Sequence, residues 1–293
     1  MLLMSGKEVS QSIREKLAVE CKEFVSVHGY APTLAVVLVG ENPASQTYVS
    51  AKRQACEELG YGHKDFTLPA STTQRELMEV VRQLNGDPAV HGILVQLPLP
   101  KGLDEDQVIE AIDPAKDVDG FHPQNVGRLL IGKDCFVSCT PKGVLAMLDY
   151  YGIGTDGKDV CIIGRSNIVG KPMAALLMQR GRDATVTVCN THTKELAAHV
   201  RRADIVIAAA GRPGTVTADM VKDGAVVVDV GTNRVEDASK KKGWRLVGDV
   251  DFDAVSPKCS AISPVPGGVG PMTITMLMAN TLLAARRQAG ERV

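Results

Sequence analysis

The sequence contains no C-x-x-C pair, no long apolar run and almost no net charge. Its seven cysteines are scattered, and this odd number argues against both a disulfide framework and a zinc site. No apolar run is long enough to span a bilayer, and the first residues lack a charged stretch followed by an apolar core. With 33 basic and 34 acidic residues, the net charge of -1 gives no support for a nucleic-acid or membrane partner. We therefore expect a soluble, cytoplasmic protein without a metal site.

Two short local patterns are interpreted as structural. Cys135 and Cys139 are the closest pair of cysteines, and we interpret both as structural thiols. The basic run at residues 240–242 stands beside Gly243 and is interpreted as a solvated loop tip.

The length and the order of apolar patterns predict two α/β domains. A chain of 293 residues with 44% hydrophobic residues is long enough for two cores. Strand-like and helix-like segments alternate throughout, which is typical of α/β folds with mostly parallel sheets. The predicted strands are residues 33–39, 64–68, 91–95, 160–163, 185–189, 205–209, 225–230 and 245–247. The predicted helices are residues 5–24, 43–59, 73–84, 104–112, 140–151, 172–180, 194–201 and 273–289.

The segment 160–172 is the most informative motif. A short β-branched run ends at Gly164, Gly170 follows six positions later, and a helical pattern begins there. Such a turn presents free backbone N–H groups and the positive end of a helix dipole to a phosphate group. Ser166 occupies the position of the middle glycine of the usual dinucleotide motif, so a plain strand–turn–helix connection stays an alternative.

The next predicted strand ends without an acidic residue. In dinucleotide-binding domains an Asp or Glu at that place binds the ribose 2′-hydroxyl and selects NAD. Here the strand is followed by Asn190, Thr191, His192 and Thr193, and Arg165 lies in the phosphate turn. Arginine and hydroxyl groups suit a 2′-phosphate, which favours NADP. The alternative is that Arg165 is a solvated loop residue.

Polar residues in the first half are candidates for chemistry. Tyr48 and Lys52 are one helical turn apart on a predicted helix, although a surface pair is an alternative. Gln96 follows a buried strand at the carboxyl edge of the sheet, where ligands bind in open α/β sheets. Asp119 lies in the acidic turn 117–121, and its alternative role is to accept backbone N–H groups of that turn.

Five motifs, in order and spacing, resemble one enzyme family. They are Y-V-S-A-K from Tyr48, V-Q-L-P-L-P from Val95, K-D-V-D-G from Lys116, G-R-S-N-I-V-G-K-P from Gly164 and P-V-P-G-G-V-G-P-M-T from Pro264. The chain thus resembles the bifunctional methylenetetrahydrofolate dehydrogenase/methenyltetrahydrofolate cyclohydrolase family over essentially its whole length. The resemblance implies a folate-binding catalytic α/β domain (1–139 and 273–293), a Rossmann-type NADP-binding domain (140–272) and a cleft between them.

The resemblance also implies roles for individual residues on the folate side. Four residues are implied to be catalytic: Lys52, Tyr48, Gln96 and Asp119. Lys52 would be the catalytic lysine of the cyclohydrolase step. Tyr48 would stack against the folate and help to position Lys52, and Gln96 would hydrogen-bond Lys52 and influence its protonation. Asp119 would bind the pterin ring by accepting hydrogen bonds from the N–H groups of that ring. The remaining residues implied to contact substrate are Leu97, Pro264, Gly267 and Gly268.

On the cofactor side the implied contacts are Gly164, Arg165, Ser166, Ile168, Thr191, His192 and Thr232. The family often has G-I-N where this chain has Gly231-Thr232-Asn233, so NADP rests mainly on Arg165. The expected partners are tetrahydrofolate derivatives in one-carbon metabolism and purine biosynthesis, and a second copy in a homodimer formed through the cofactor domain. The apolar pattern of residues 172–180 supports that dimer, unless this helix is buried in a monomer.

Two alternatives remain at this point. One is a dehydrogenase without cyclohydrolase activity, against which the intact Tyr48, Lys52 and Gln96 argue. The other is a cofactor-sensing module on the same fold, because fold alone does not fix function. A sensor would have no reason to keep Lys52, Gln96 and Asp119 together.

Overall fold

The computed structural model describes residues 1–240 and 243–292, so Lys241 and Lys242 of the predicted loop tip lie outside the described residues. The strands are β1 (Leu2–Leu3), β2 (Thr33–Val39), β3 (Gly62–Leu68), β4 (Gly92–Val95), β5 (Asp159–Ile163), β6 (Thr185–Cys189), β7 (Ile205–Ala208), β8 (Val226–Asp229), β9 (Asn233–Glu236), β10 (Trp244–Val247) and β11 (Ala261–Ile262). The helices are α1 (Gly6–His28), α2 (Pro43–Leu59), α3 (Gln74–Gly86), α4 (Glu105–Ala111), α5 (Pro123–Leu130), α6 (Cys139–Tyr150), α7 (Gly170–Leu177), α8 (Leu196–Arg202), α9 (Phe252–Val255) and α10 (Val269–Gln288). Short 3₁₀ turns lie at Ala218–Met220 and Ser256–Lys258.

The chain divides into two compact units. The first contains residues 1–11 and 140–273, and the second contains residues 12–139 and 274–293. The sequence prediction had placed residues 1–11 and Thr273 with the opposite unit. Residues 1–11 lie in the first unit because β1 pairs in parallel with β11.

The first unit is built on a parallel sheet with the order β1-β11-β8-β7-β5-β6. Its central strands are apolar and buried, as strands covered on both faces must be. The direction in which successive strands are added reverses at β5. The next strand in the chain, β6, pairs on one side of β5, and the following strand, β7, pairs on the other side. Ligands bind at the carboxyl ends of strands beside such a reversal. The antiparallel hairpin β9–β10 stands apart from this sheet.

The second unit contains the parallel three-stranded sheet β3-β2-β4. The strands β2 and β4 are almost wholly buried, and α3 packs its apolar side chains Leu77, Val81 and Leu84 against this core. Strand β4 ends at Val95 as predicted, directly before Gln96 and the cis bond between Leu97 and Pro98. The carboxyl edge of this sheet therefore carries a polar side chain.

Several boundaries differ from the predicted ones. Helix α10 begins at Val269, not at 273, because Pro271 lies in its first turn, where a missing N–H breaks no helical hydrogen bond. Helix α5 was missed; His122 caps it and Pro123 begins it. The hairpin strand β9, the short edge strand β1 and its neighbour β11 were also missed, because two to four residues show no clear period.

Helix α7 is buried over nearly all of its length within the single chain, from Pro172 to Leu177. Its apolar surplus is thus accounted for by a monomer core, which was the alternative to a dimer contact. No helix among the described residues combines the length and the apolar character that crossing a membrane requires.

Candidate active site

A lysine and a glutamine meet at the carboxyl edge of the β3-β2-β4 sheet. Lys52 lies on α2, and its Nζ donates a hydrogen bond of 2.8 Å to Oε1 of Gln96. The amide nitrogen of Gln96 donates in turn to the carbonyl oxygen of Leu97, at 2.7 Å. That second bond fixes the orientation of the amide, so that its oxygen faces the lysine. Tyr48 lies one turn earlier on α2, and its side chain is 52% exposed.

Asp119 is the acidic neighbour of Lys52. Burial lowers the pKa of Lys52, an effect that the charges of Asp119 and Cys139 oppose. Burial also raises the pKa of Asp119 from 3.8 to about 6; Asp117 adds to that rise, while Lys52 and the Cys139 thiol oppose it. The site therefore holds a lysine that gives up its proton more readily than usual beside a carboxyl that ionises near neutral pH.

The two aspartates of the turn have different functions. Oδ1 of Asp117 accepts the backbone N–H groups of Gly120 and Phe121 at 3.1 and 3.2 Å. Its Oδ2 accepts from the backbone N–H of His122 at 2.9 Å and from Nδ2 of Asn125 at 2.8 Å. The proposed turn chemistry thus belongs to Asp117. For Asp119 the described residues supply one donor, the Cys139 thiol at 3.8 Å from Oδ1.

Asn280 supports this turn and was not found from the sequence. It is fully buried on α10, and its Nδ2 donates to the carbonyl oxygens of Val118 at 2.8 Å and Val137 at 3.0 Å. These bonds join the two segments that carry Asp119 and Cys139. An asparagine inside an otherwise apolar helix was the feature that could have indicated it, because buried amides need partners.

At two positions of the turn after β5, only glycine fits. Gly164 has a φ of 129°, and a Cβ atom there would clash with the carbonyl oxygen of Ala209. A Cβ atom at Gly170 would clash with the carbonyl oxygen of Gly164. The Oγ of Ser166 accepts the backbone N–H of Val169 at 3.0 Å. The motif thus forms a tight turn in which backbone can approach a ligand.

A cavity of about 470 Å³ opens beside this turn. Its lining residues are Ile163, Gly164, Arg165, Ser166, Asn190, Thr191, Thr193, Leu196, Ala209, Ala210, Arg212 and Thr215. Four of the seven predicted cofactor residues therefore line one cavity. Ile168, His192 and Thr232 are exposed and do not line it.

Arg212 is the main lining residue that the sequence reasoning missed. It follows β7, at the carboxyl end of the strand next to β5, which is where a second cation could have been sought. Within the described residues, neither its guanidinium nor that of Arg165 forms a hydrogen bond or an ion pair. Among the lining residues that the structure describes, two guanidinium groups are unpaired and none carries a carboxylate, which suits a ligand with more than one anionic group.

The Pro-Gly segment before α10 forms a tight loop in the first unit. Gly267 has a φ of 102°, and its carbonyl oxygen accepts the backbone N–H of Lys7 at 3.2 Å. A Cβ atom at Gly268 would clash with the carbonyl oxygen of Pro264. The glycines are therefore required by the shape of this loop.

Comparison with known proteins supplies the family. Residues 4–119 match the model of the tetrahydrofolate dehydrogenase/cyclohydrolase catalytic domain, and residues 138–289 match the NAD(P)-binding domain of the same family. The chain belongs to this family. The predicted family, the two-domain α/β fold and the bifunctional enzyme are confirmed.

Similar proteins extend over the full chain. The bifunctional protein FolD of Chlorobium luteolum is 55% identical over 99% of this chain and 100% of its own length. The crystal structure of the bifunctional enzyme FolD from Campylobacter jejuni is 50% identical, with a TM-score of 0.93 over 98% of this chain and 99% of that one. The Trypanosoma brucei enzyme, solved with NADP cofactor and inhibitor, is 41% identical, with a TM-score of 0.94 over 99% of this chain and 98% of that one.

Proposed function

We propose that Lys52, Gln96 and Asp119 form the catalytic site of the cyclohydrolase reaction in this bifunctional enzyme. The protein oxidises 5,10-methylenetetrahydrofolate to 5,10-methenyltetrahydrofolate with NADP and hydrolyses that product to 10-formyltetrahydrofolate, in one-carbon metabolism. The observation that carries the assignment is the 2.8 Å contact of Lys52 Nζ with Gln96 Oε1 beside Asp119.

The lysine acts as the base for water. Burial lowers the pKa of Lys52, so the neutral amine is more accessible than that of a surface lysine. One N–H stays on the Gln96 oxygen, which leaves the nitrogen lone pair to accept a proton. As water adds to the methenyl carbon, one of its protons passes to Nζ, and the lysine returns that proton to the ring nitrogen as the bond from this nitrogen to the carbon breaks. The hydroxyl group left on the carbon loses its proton to solvent and becomes the formyl carbonyl, so hydrolysis of the cation releases one proton.

Asp119 and Tyr48 are proposed to hold the folate. A carboxylate can accept two parallel N–H bonds from an amino-pyrimidine edge, and Asp119 keeps acceptor capacity because the described residues give it one weak thiol donor. The exposed ring of Tyr48 offers a flat apolar face for stacking. Leu97, whose carbonyl oxygen orients Gln96, and Pro264, Gly267 and Gly268 stay predicted substrate contacts.

The cofactor is NADP, as predicted. The cavity beside β5 fits it, because the glycine turn lets backbone approach a pyrophosphate and because Arg165 and Arg212, both of which line the cavity, can bind anionic groups. The chemistry that bound NADP supplies is acceptance of a hydride from the folate methylene carbon. We propose Gly164, Arg165, Ser166 and Thr191 as contacts, with Ile168, His192 and Thr232 as predicted contacts outside the cavity wall.

We also propose an assembly and a cellular location for this protein. We propose a homodimer through the cofactor domain, supported by the edge position of β6 in its sheet, by the exposed Val188 on that strand and by the exposed Met178 at the end of α7. A cytoplasmic location is supported by the seven cysteines, all of which are free thiols.

A Lys52→Met variant tests the catalytic assignment. It should nearly abolish hydrolysis of methenyltetrahydrofolate, followed by loss of its absorbance, while NADP reduction from methylenetetrahydrofolate stays measurable. Arg53→Met, the neighbouring exposed residue on α2, is the matched control and should hydrolyse normally. Wild-type hydrolysis in Lys52→Met would contradict the role of Lys52.

A further inference from the structure

Two buried carboxylates lie near the carboxyl ends of β7 and β8. Asp229 is the last residue of β8, and Asp249 follows β10; they are 3% and 0% exposed. Within the described part of the chain, neither forms an ion pair with a lysine or an arginine. Buried anions are costly unless hydrogen bonds satisfy them, so the donors that surround these two groups explain their presence.

Asp249 binds the backbone that follows β7. Its Oδ2 accepts the N–H groups of two successive residues, Ala210 at 2.6 Å and Gly211 at 2.8 Å. Its Oδ1 accepts from Nδ2 of Asn233 at 2.9 Å. All of these donors are neutral, and two of them belong to one short segment of chain. The carboxylate therefore fixes the path of residues 210 and 211.

Asp229 holds Asp249 in place. It accepts the backbone N–H groups of Gly231 at 3.0 Å, of Asp249 at 2.9 Å and of Val250 at 3.0 Å. A Cβ atom at Gly248 would clash with Asp229 Oδ2, so only glycine fits at the position before Asp249. The two aspartates thus form one rigid connection from β8 through Asp249 to the segment after β7.

That segment is part of the cofactor cavity. Ala209, Ala210 and Arg212 all line it, together with Arg165 in the turn after β5. We propose that Asp249 is a positioning residue for NADP binding, which holds the backbone of Ala210 and Gly211 and thereby sets where Arg212 meets the cofactor. The proposal rests on the proposed function, since NADP must occupy this cavity.

The geometry explains why a carboxylate is needed at 249. One oxygen must accept two N–H groups while the other accepts a side-chain amide. In Asp249→Asn, an NH₂ group replaces one of these oxygens and faces donors instead of accepting from them. Either orientation of that amide breaks a contact, and an orientation toward Ala210 and Gly211 displaces the segment that lines the cavity.

The test compares Asp249→Asn with wild type and with Val255→Ala. Val255 is a fully buried core residue of the same unit that does not itself line the cavity, so its variant controls for lost stability. Calorimetry on the full-length protein should show that Asp249→Asn weakens NADP binding about tenfold, the loss expected from one displaced charge-assisted contact. Hydrogen exchange at Ala210 and Gly211 should accelerate, while methenyl hydrolysis, which uses no NADP, should keep its rate.

A second variant tests the same contact if Asp249→Asn is unstable. If Asp249→Asn does not fold, Asn233→Ala removes one donor to the same carboxylate and should weaken NADP binding by a smaller factor. NADP affinity within twofold of wild type in a folded Asp249→Asn, or an equal loss in Val255→Ala, would overturn the positioning role. Failure of wild type itself to bind NADP would overturn the cofactor site instead.

Discussion

Replacing Asp119 by asparagine should stabilise the folded protein at neutral pH while it damages folate binding. The pKa of this carboxyl is raised from 3.8 to about 6, mainly by burial, so the folded state opposes its ionisation. Asparagine has nearly the same shape and no charge. The variant therefore removes a negative charge that the fold disfavours, and it also removes the proposed acceptor of the pterin N–H groups.

The magnitude follows from the difference between the two pKa values. At 1.36 kcal/mol per pKa unit, a rise from 3.8 to about 6 costs the folded state about 3 kcal/mol at neutral pH. Because the side chain is half-buried, solvent screening makes this an upper limit. Since the folded pKa is the higher one, the wild type has no such loss below pH 3.8. The loss grows between pH 3.8 and about 6 and is complete above that range.

Urea unfolding followed by circular dichroism at several pH values would measure this effect. The free energy of unfolding of Asp119→Asn should exceed that of wild type above about pH 7, by up to about 3 kcal/mol, and the difference should disappear near pH 4. Asp117→Asn is the matched control in the same turn. Since each Asp117 oxygen accepts two donors, that variant should be destabilised. Destabilisation of Asp119→Asn at neutral pH, or a pH-independent difference, would refute the reasoning.

Two further predictions concern the cofactor and the assembly. Arg165→Ala should weaken NADP about ten- to a hundredfold and NAD much less, the value of one charge-assisted contact of about 1.5–3 kcal/mol. Calorimetry with NADP and with NAD measures the two affinities. Equal losses of affinity would mean that Arg165 binds the pyrophosphate that both cofactors share, and Arg212 would then have to account for the preference for NADP. Light scattering at micromolar concentration should give twice the 31.2 kDa of one chain, and the mass of a single chain would contradict the dimer.

The sequence predicts the long and strongly patterned parts of this fold. Strand β2, helix α2 and strand β6 begin and end where their patterns predict, because apolar periodicity and turn residues agree there. The elements that the sequence does not predict are short or depend on tertiary pairing. Strand β1, for example, is recognisable only through its parallel partner β11. The contact of Lys52 with Gln96 could be expected from their places at one sheet edge, but its geometry could not. Arg212 and Asn280 were missed because neither belongs to a local motif.

The turn at residues 117–121 shows why composition alone leaves a site open. Asp117 and Asp119 are two positions apart, and either could accept the backbone of the turn. In the fold, Asp117 is saturated by four donors, whereas one weak thiol donor reaches Asp119 from the described residues. A saturated carboxylate stabilises its turn. A carboxylate with so few donors raises the free energy of the free protein because of its burial, an effect that the charge of Lys52 only partly opposes. That cost is offset when N–H groups of a ligand complete the shell, so the unsatisfied aspartate is the one suited to bind the substrate.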